Sequence, residues 1–256
     1  MSRLSSDTVH VALYPGHAVL ARTRGWLLPR VVERGRYAGA PDEALEAALA
    51  EPRWQQARLR VVLSNLLVRF VIVPADANLA SAADELAVAE ARFRQVHGAQ
   101  VRLEARLSAP LSGRSQVAAG IATDVLDALR ARFSQARLRL ASMEPLFARA
   151  VGRARPPAGG FWLASLEPEA LTLACADRAG WASVSVSPTG GDIAAVLGAR
   201  LREARLLSSA RDLPSLLFVH AAGADPSAAP RVVRLDGFEV HMVPPATGVA
   251  DAALGG

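Results

Sequence analysis

The residues "VALYPGHAVLAR" run from Val11 to Arg22. Apolar side chains alternate on both sides of Pro15-Gly16, at Val11 and Leu13 and again at Ala18 and Leu20, so the stretch predicts two antiparallel strands joined by a tight turn. The alternation already begins at Val9 and returns around Leu27 and Val31 after an Arg-Gly turn, which makes a three-stranded meander. "PDEALEAALAEP" follows, with Pro and two acids suited to the positive end of a helix and Leu45 and Leu49 on one face. "RLRVVLS" then reads as a buried strand.

The same order returns later. After the Pro/Gly punctuation "RARPPAGG", the segments "GFWLASLE", "ALTLACAD" and "GWASVSVS" alternate as three strands. "GGDIAAVLGARLREARLL" reads as a helix capped by Asp192, and "PSLLFVH" as a strand. A long-period duplication accounts for both copies better than two unrelated domains would. Between them, "SAADELAVAEARFRQVHG" is a helix with a capping-box-like start at Ser81 and Asp84, an apolar face of Leu86, Phe93 and Val96, and a stop at Gly98. Next, Val117, Ile121, Val125, Leu129 and Phe133 keep helical spacing and predict one helix. Ala136, Leu138 and Leu140 switch to period two, and Met143-Glu144-Pro145 opens a short helix.

With 256 residues, 51% of them hydrophobic, the chain can bury one large core or two modest ones. The formal charge is +5, carried without any Lys. The arginines are scattered among acids and only 5% of residues are aromatic, which argues against a nucleic-acid partner. Cys175 stands alone, so no internal disulfide forms and a reducing compartment is expected. "MSRLSSDTVH" lacks the apolar core of a signal peptide, and the longest apolar run, "VVLSNLLVRFVIV", is short and carries Ser64, Asn65 and Arg69. The expectation is a cytoplasmic protein with no direct membrane span.

A strand meander, helix and strand repeated in two lobes resembles the actin-like fold of sugar kinases, heat-shock ATPases and actin-like assembly proteins. "VVLSNLLVRFVIVPADANLASAADELAVAEARFRQVHG" and "AAGIATDVLDALRARFSQARLRLASMEPLFARA" look like the middle segments of the PilM and GspL group, including MSHA-type members. The resemblance implies an α/β, ribonuclease H-like, duplicated two-lobe fold. The expected division is a first lobe over 1–153 with an inserted subdomain about 66–108, a second lobe over 158–243, and a disordered tail over 244–256. It also implies a scaffold of a type IV pilus or type II secretion platform, held at the inner membrane by the cytoplasmic tail of a bitopic membrane partner. A homodimer is left open.

In actin-like ATPases the first hairpin carries an acid, a glycine and a hydroxyl that hold magnesium and phosphate. The matching positions here are Tyr14, Pro15, Gly16 and His17, of which only Gly16 fits. The second hairpin, "SLEPEALT", offers Glu167 and no glycine, and the adenosine-binding turn reads Ala221-Ala222-Gly223 where Gly-Gly is expected. The nucleotide motifs are degenerate at all three places, so neither ATP nor magnesium is expected as a cofactor. The alternative is an active actin-like ATPase or phosphotransferase with an unusual site.

Other signals are weaker. Gly190-Gly191 before a helix could bind an anion, but Asp192 at its mouth favours an ordinary capped turn. His10, His17, His97, His220 and His241 share no metal-ligand spacing. Ser165 and Ser183 lie on strands, with no nucleophile elbow. Asp236 and Glu239 flank a hairpin turn, "LDGFEV". "LLVRFVIVP" could accept an added strand through Arg69, Phe70 and Val71 if it lies at a sheet edge; otherwise it is a strand buried on both faces.

Overall fold

A computed structural model describes residues 7–25, 30–76, 81–108, 114–156, 159–190, 193–207, 214–221, 235 and 237–243. In chain order the elements are β1 (Thr8–Tyr14), β2 (His17–Arg24), β3 (Arg30–Ala38), α1 (Pro41–Leu49), β4 (Arg58–Leu63), β5 (Arg69–Val73), α2 (Ala82–His97), β6 (Leu103–Leu107) and β7 (Gln116–Ala122). They continue with α3 (Thr123–Gln135), β8 (Arg139–Pro145), α4 (Leu146–Ala154), β9 (Phe161–Leu166), β10 (Ala170–Asp177), β11 (Gly180–Pro188), α5 (Ile193–Leu207), β12 (Leu216–Ala221) and β13 (Glu239–Met242). Short 3-10 turns lie at Pro52–Trp54 and Asn65–Leu67.

The two large sheets have one plan. The first runs β3-β2-β1-β4-β8 and the second β11-β10-β9-β12-β13. In each, the opening three strands form an antiparallel meander and the last two lie parallel to the first of them. The duplicated order read from the sequence is therefore the order of the sheets.

Helix α1 begins where Pro41 needs no amide partner, and the Glu43 carboxylate accepts the Ala40 N–H. Its Ala44, Leu45, Ala48 and Leu49 are buried against the first sheet, as are Leu126, Leu129 and Phe133 of α3. Fully burying each of the large side chains is worth about 1.5–3 kcal/mol. Trp54, wholly buried, donates its indole N–H to the Tyr37 hydroxyl at 2.7 Å. Gly35 makes room for that pair, since a Cβ there would stand 2.8 Å from the Tyr37 ring and 3.0 Å from Trp54. In the second sheet Trp162, Leu171 and Leu173 pack beneath Leu197 and Leu201 of α5.

A third sheet, β5-β7-β6, carries α2 on one face through Ala89 and Phe93. It corrects one expectation. The segment from Gln116 to Ala122 is a strand rather than the first turns of a helix, and it lies between β5 and β6 in this sheet. Residues 117, 119 and 121 share a face of a strand as readily as 117 and 121 share one of a helix, so the four-residue spacing did not discriminate. Small residues settled it: a Cβ at Gly120 would stand 3.1 Å from the Phe93 ring of α2. The tail over 244–256 lies outside the described residues, as do Leu27, Asp192, Gly191 and Asp236. Among the described residues, no helix is long and apolar enough to cross a membrane.

Candidate functional site

The Pro15-Gly16 turn of the first sheet and the turn after β9 in the second meet between the sheets. In the first, Tyr14 and His17 close the Pro15-Gly16 turn and stack face to face, with centroids 4.6 Å apart and planes at 13°. Tyr14 is buried with Ala12, Val19, Val62 and Leu146, and burial first, then the nearby Glu167, pushes its hydroxyl up to about 12. His17 is held below the usual imidazole value by burial and then by Arg36, with Glu169 opposing. The second turn comes close enough that a Cβ on Gly16 would stand 3.4 Å from Glu169 Oε1.

Beneath these turns sits Asn65, fully buried. Its backbone N–H donates to Glu167 Oε1 at 3.0 Å, its Nδ2 donates to Thr172 Oγ1 at 2.8 Å, and its Oδ1 accepts the Phe147 N–H at 2.9 Å. One residue at the end of β4 thus ties the β9–β10 hairpin and the start of α4 together. Glu167 is buried, and no hydrogen bond of regular geometry reaches its Oε2. Burial raises its carboxyl above the ordinary range, against the lowering effect of the Ser64 hydroxyl and of Asn65.

The structure brings Tyr14, Gly16, His17 and Glu167 near one another. Ala221 ends β12, and Ala222 and Gly223 lie outside the described residues. Asn65 was missed; its signal was a polar Ser-Asn pair inside the longest apolar run. The histidines disperse: His10 meets Thr23, His97 stacks on Phe93, His220 lies beside Arg153 and His241 beside Glu239. Among the described residues no three His, Cys, Asp or Glu side chains are placed to hold a metal ion.

Arg69, Phe70 and Val71 meet three different surroundings. β5 is an outer strand of its sheet, but it lies against β11 of the second lobe. Arg69 is exposed, Phe70 packs edge-on against Phe147 at 5.6 Å, and Val71 is buried under α2. A groove of about 230 Å³ opens instead between the outer strands β6 and β8. Leu63, Val68, Ile121 and Leu126 contribute apolar lining, and Glu104, Arg130 and Glu144 are polar. The Arg130 guanidinium grips both oxygens of Glu104 at 3.0 Å and holds that carboxyl below its usual value.

Two sheets of one order, their hairpin turns facing each other, match a protein from Bacteroides thetaiotaomicron described as having an actin-like ATPase fold and unknown function. The TM-score is 0.60 at 14% identity, over 98% of this chain and 95% of that one. The fold is actin-like. Two further neighbours in fold are the cytoplasmic domain of EpsL, an inner-membrane component of the type II secretion system of Vibrio cholerae, and the PilM-PilN type IV pilus biogenesis complex. The EpsL domain gives a TM-score of 0.58 at 13% identity over 97% of this chain and 93% of that one. The PilM-PilN structure gives 0.60 at 14%, over 93% and 87%. No protein-family model and no curated protein matches the sequence.

Proposed function

We propose that this chain is a non-catalytic actin-like scaffold, acting at the cytoplasmic face of an inner membrane within a pilus or type II secretion platform. The observation that carries the reading is what occupies the phosphate-binding turns. A buried phenol ring stands where an acid would orient magnesium, Pro15 supplies no N–H, and the Glu169 carboxylate faces the Gly16 turn, where it would repel phosphate. These residues do not fit a nucleotide with its metal. The likeness in fold to the EpsL cytoplasmic domain and to the PilM-PilN structure supports the setting.

The groove between β6 and β8 is the proposed seat of the membrane partner's cytoplasmic tail. It has an apolar lining for side chains, charged groups to fix their register, and in β8 an outer strand whose backbone can pair with an extended peptide. The test uses fluorescently labelled cytoplasmic peptides of single-span pilus and secretion proteins from the same organism. Saturable anisotropy with one of them, lost in Ile121→Glu and retained in an Arg69→Ala control, is expected. Binding unaffected by Ile121→Glu would place the tail elsewhere.

A further inference from the structure

The face of the first sheet turned away from α1 and α3 has an unusual border. The register sets Arg36 beside Val19, Ala12 and Val62 in one row, His10 beside Arg60 in the next, and Thr8 beside Arg58 and Arg139 in a third. All four arginines are exposed, and among the described residues none forms an ion pair. Elsewhere in the molecule many arginines are matched: Arg22 and Arg24 to Asp7, Arg130 to Glu104, Arg132 to Glu46. The carboxylate on this face, Glu144, is engaged by Arg149 at 2.7 Å, and Asp7 at its lower edge is held by Arg22 and Arg24.

We infer that this face docks on anionic phospholipid headgroups. Three strand spacings, about 14 Å, separate Arg36 from β4, Arg139 lies one spacing beyond, and Arg58 and Arg60 are about 7 Å apart along one strand. An extended acidic peptide would meet a single line of such an array, whereas headgroup phosphates are spread in two dimensions. Guanidinium forks suit phosphate oxygens. Among the described residues the face offers no exposed aromatic ring on which a base could stack: Tyr14 is buried, and Val19, Ala12 and Val62 fill the row beside Arg36. Attachment would be electrostatic, reversible and weakened by salt. It stands apart from the groove proposed for a partner tail, because it needs no protein partner.

Cosedimentation of the whole protein with vesicles of phosphatidylglycerol and phosphatidylcholine, against phosphatidylcholine alone, tests it. Binding to the anionic vesicles alone, reversed by high salt, is expected. Replacing Arg58, Arg60 and Arg139 together by Gln should weaken it on the order of a hundredfold. The same net change on the insertion, Arg92, Arg94 and Arg102 to Gln, should leave it nearly intact, and the Lys version of the first triple should retain it. Equal losses in the two Gln triples, no sedimentation of the wild type, or a preference for polyglutamate or duplex DNA over the anionic vesicles would overturn the proposal.

Discussion

Asn65 commits both ends of its carboxamide to other elements, Oδ1 to the Phe147 N–H and Nδ2 to Thr172 Oγ1. Asn65→Ala strands a buried donor at the start of α4 and should cost about 2–4 kcal/mol in urea unfolding. Asn65→Asp keeps that acceptor but sets a second carboxylate beside Glu167, so its penalty should grow with pH while that of the Ala variant stays level. Glu167 itself gives a signed prediction. Its folded carboxyl is raised by burial, so its contribution to stability is present below the unfolded pKa and is lost as pH rises through the folded one. Unfolding midpoints of wild type should therefore fall relative to Glu167→Gln between mildly acidic and neutral pH. A constant difference between the two would mean that the carboxyl is not raised. At this scale the sequence was only half legible. Tyr14 and His17 could be seen to replace an acid and a hydroxyl, because a hairpin fixes the place of its turn. Asn65 showed only as a polar break in an apolar run, and its role could not be read, because its partners Phe147, Glu167 and Thr172 lie far along the chain.

At the scale of elements, local chemistry was a good guide where an element carries its own start and stop. Ser81 accepts the Asp84 N–H at 3.2 Å at the head of α2, and Gly98 ends that helix with a positive φ of 94°, as the pattern suggested. It failed at β7, where a spacing of four residues serves strand and helix alike. For β5 it left an edge strand and a buried strand both open, because no local signal says that β11 lies against it. The contact beside β7 is tight. Ser115 donates its N–H to Ala179 O at 2.9 Å and accepts the Trp181 N–H at 3.3 Å, and Gly180 passes so close that a Cβ would stand 2.6 Å from Ser115 O. Gly180 also has φ +112°, a conformation that side chains rarely adopt. Gly180→Ala should lower stability by about 2–4 kcal/mol, measured by thermal or urea unfolding, whereas Gly190→Ala, with no atom of a described residue beyond its chain neighbours within 4 Å of its Cβ, should be nearly neutral.

Across the whole molecule the lobes share a core. Aromatic rings form a chain from Phe70 on β5 through Phe147 on α4 and Trp181 on β11 to Phe161 on β9 and Phe218 on β12, with centroids 5.5–6.0 Å apart. Phe147, Phe161 and Trp181 are all buried in it. An enzyme that opens and closes around a nucleotide needs lobes that part, and parting these would expose that core and break the Asn65 bonds. Trp54 reports on the first lobe and Trp162 on the second, so unfolding followed in single-tryptophan variants should give coincident transitions; two separated midpoints would show lobes that melt independently. The proposed scaffold role is tested most directly by isothermal titration of the wild-type protein with magnesium ATP, with Tyr14→Asp as comparison. A non-catalytic scaffold gives no saturable heat from the wild type. Saturable binding at micromolar affinity would contradict it, and would mean that the facing hairpins hold phosphate despite Tyr14, Pro15 and Glu169.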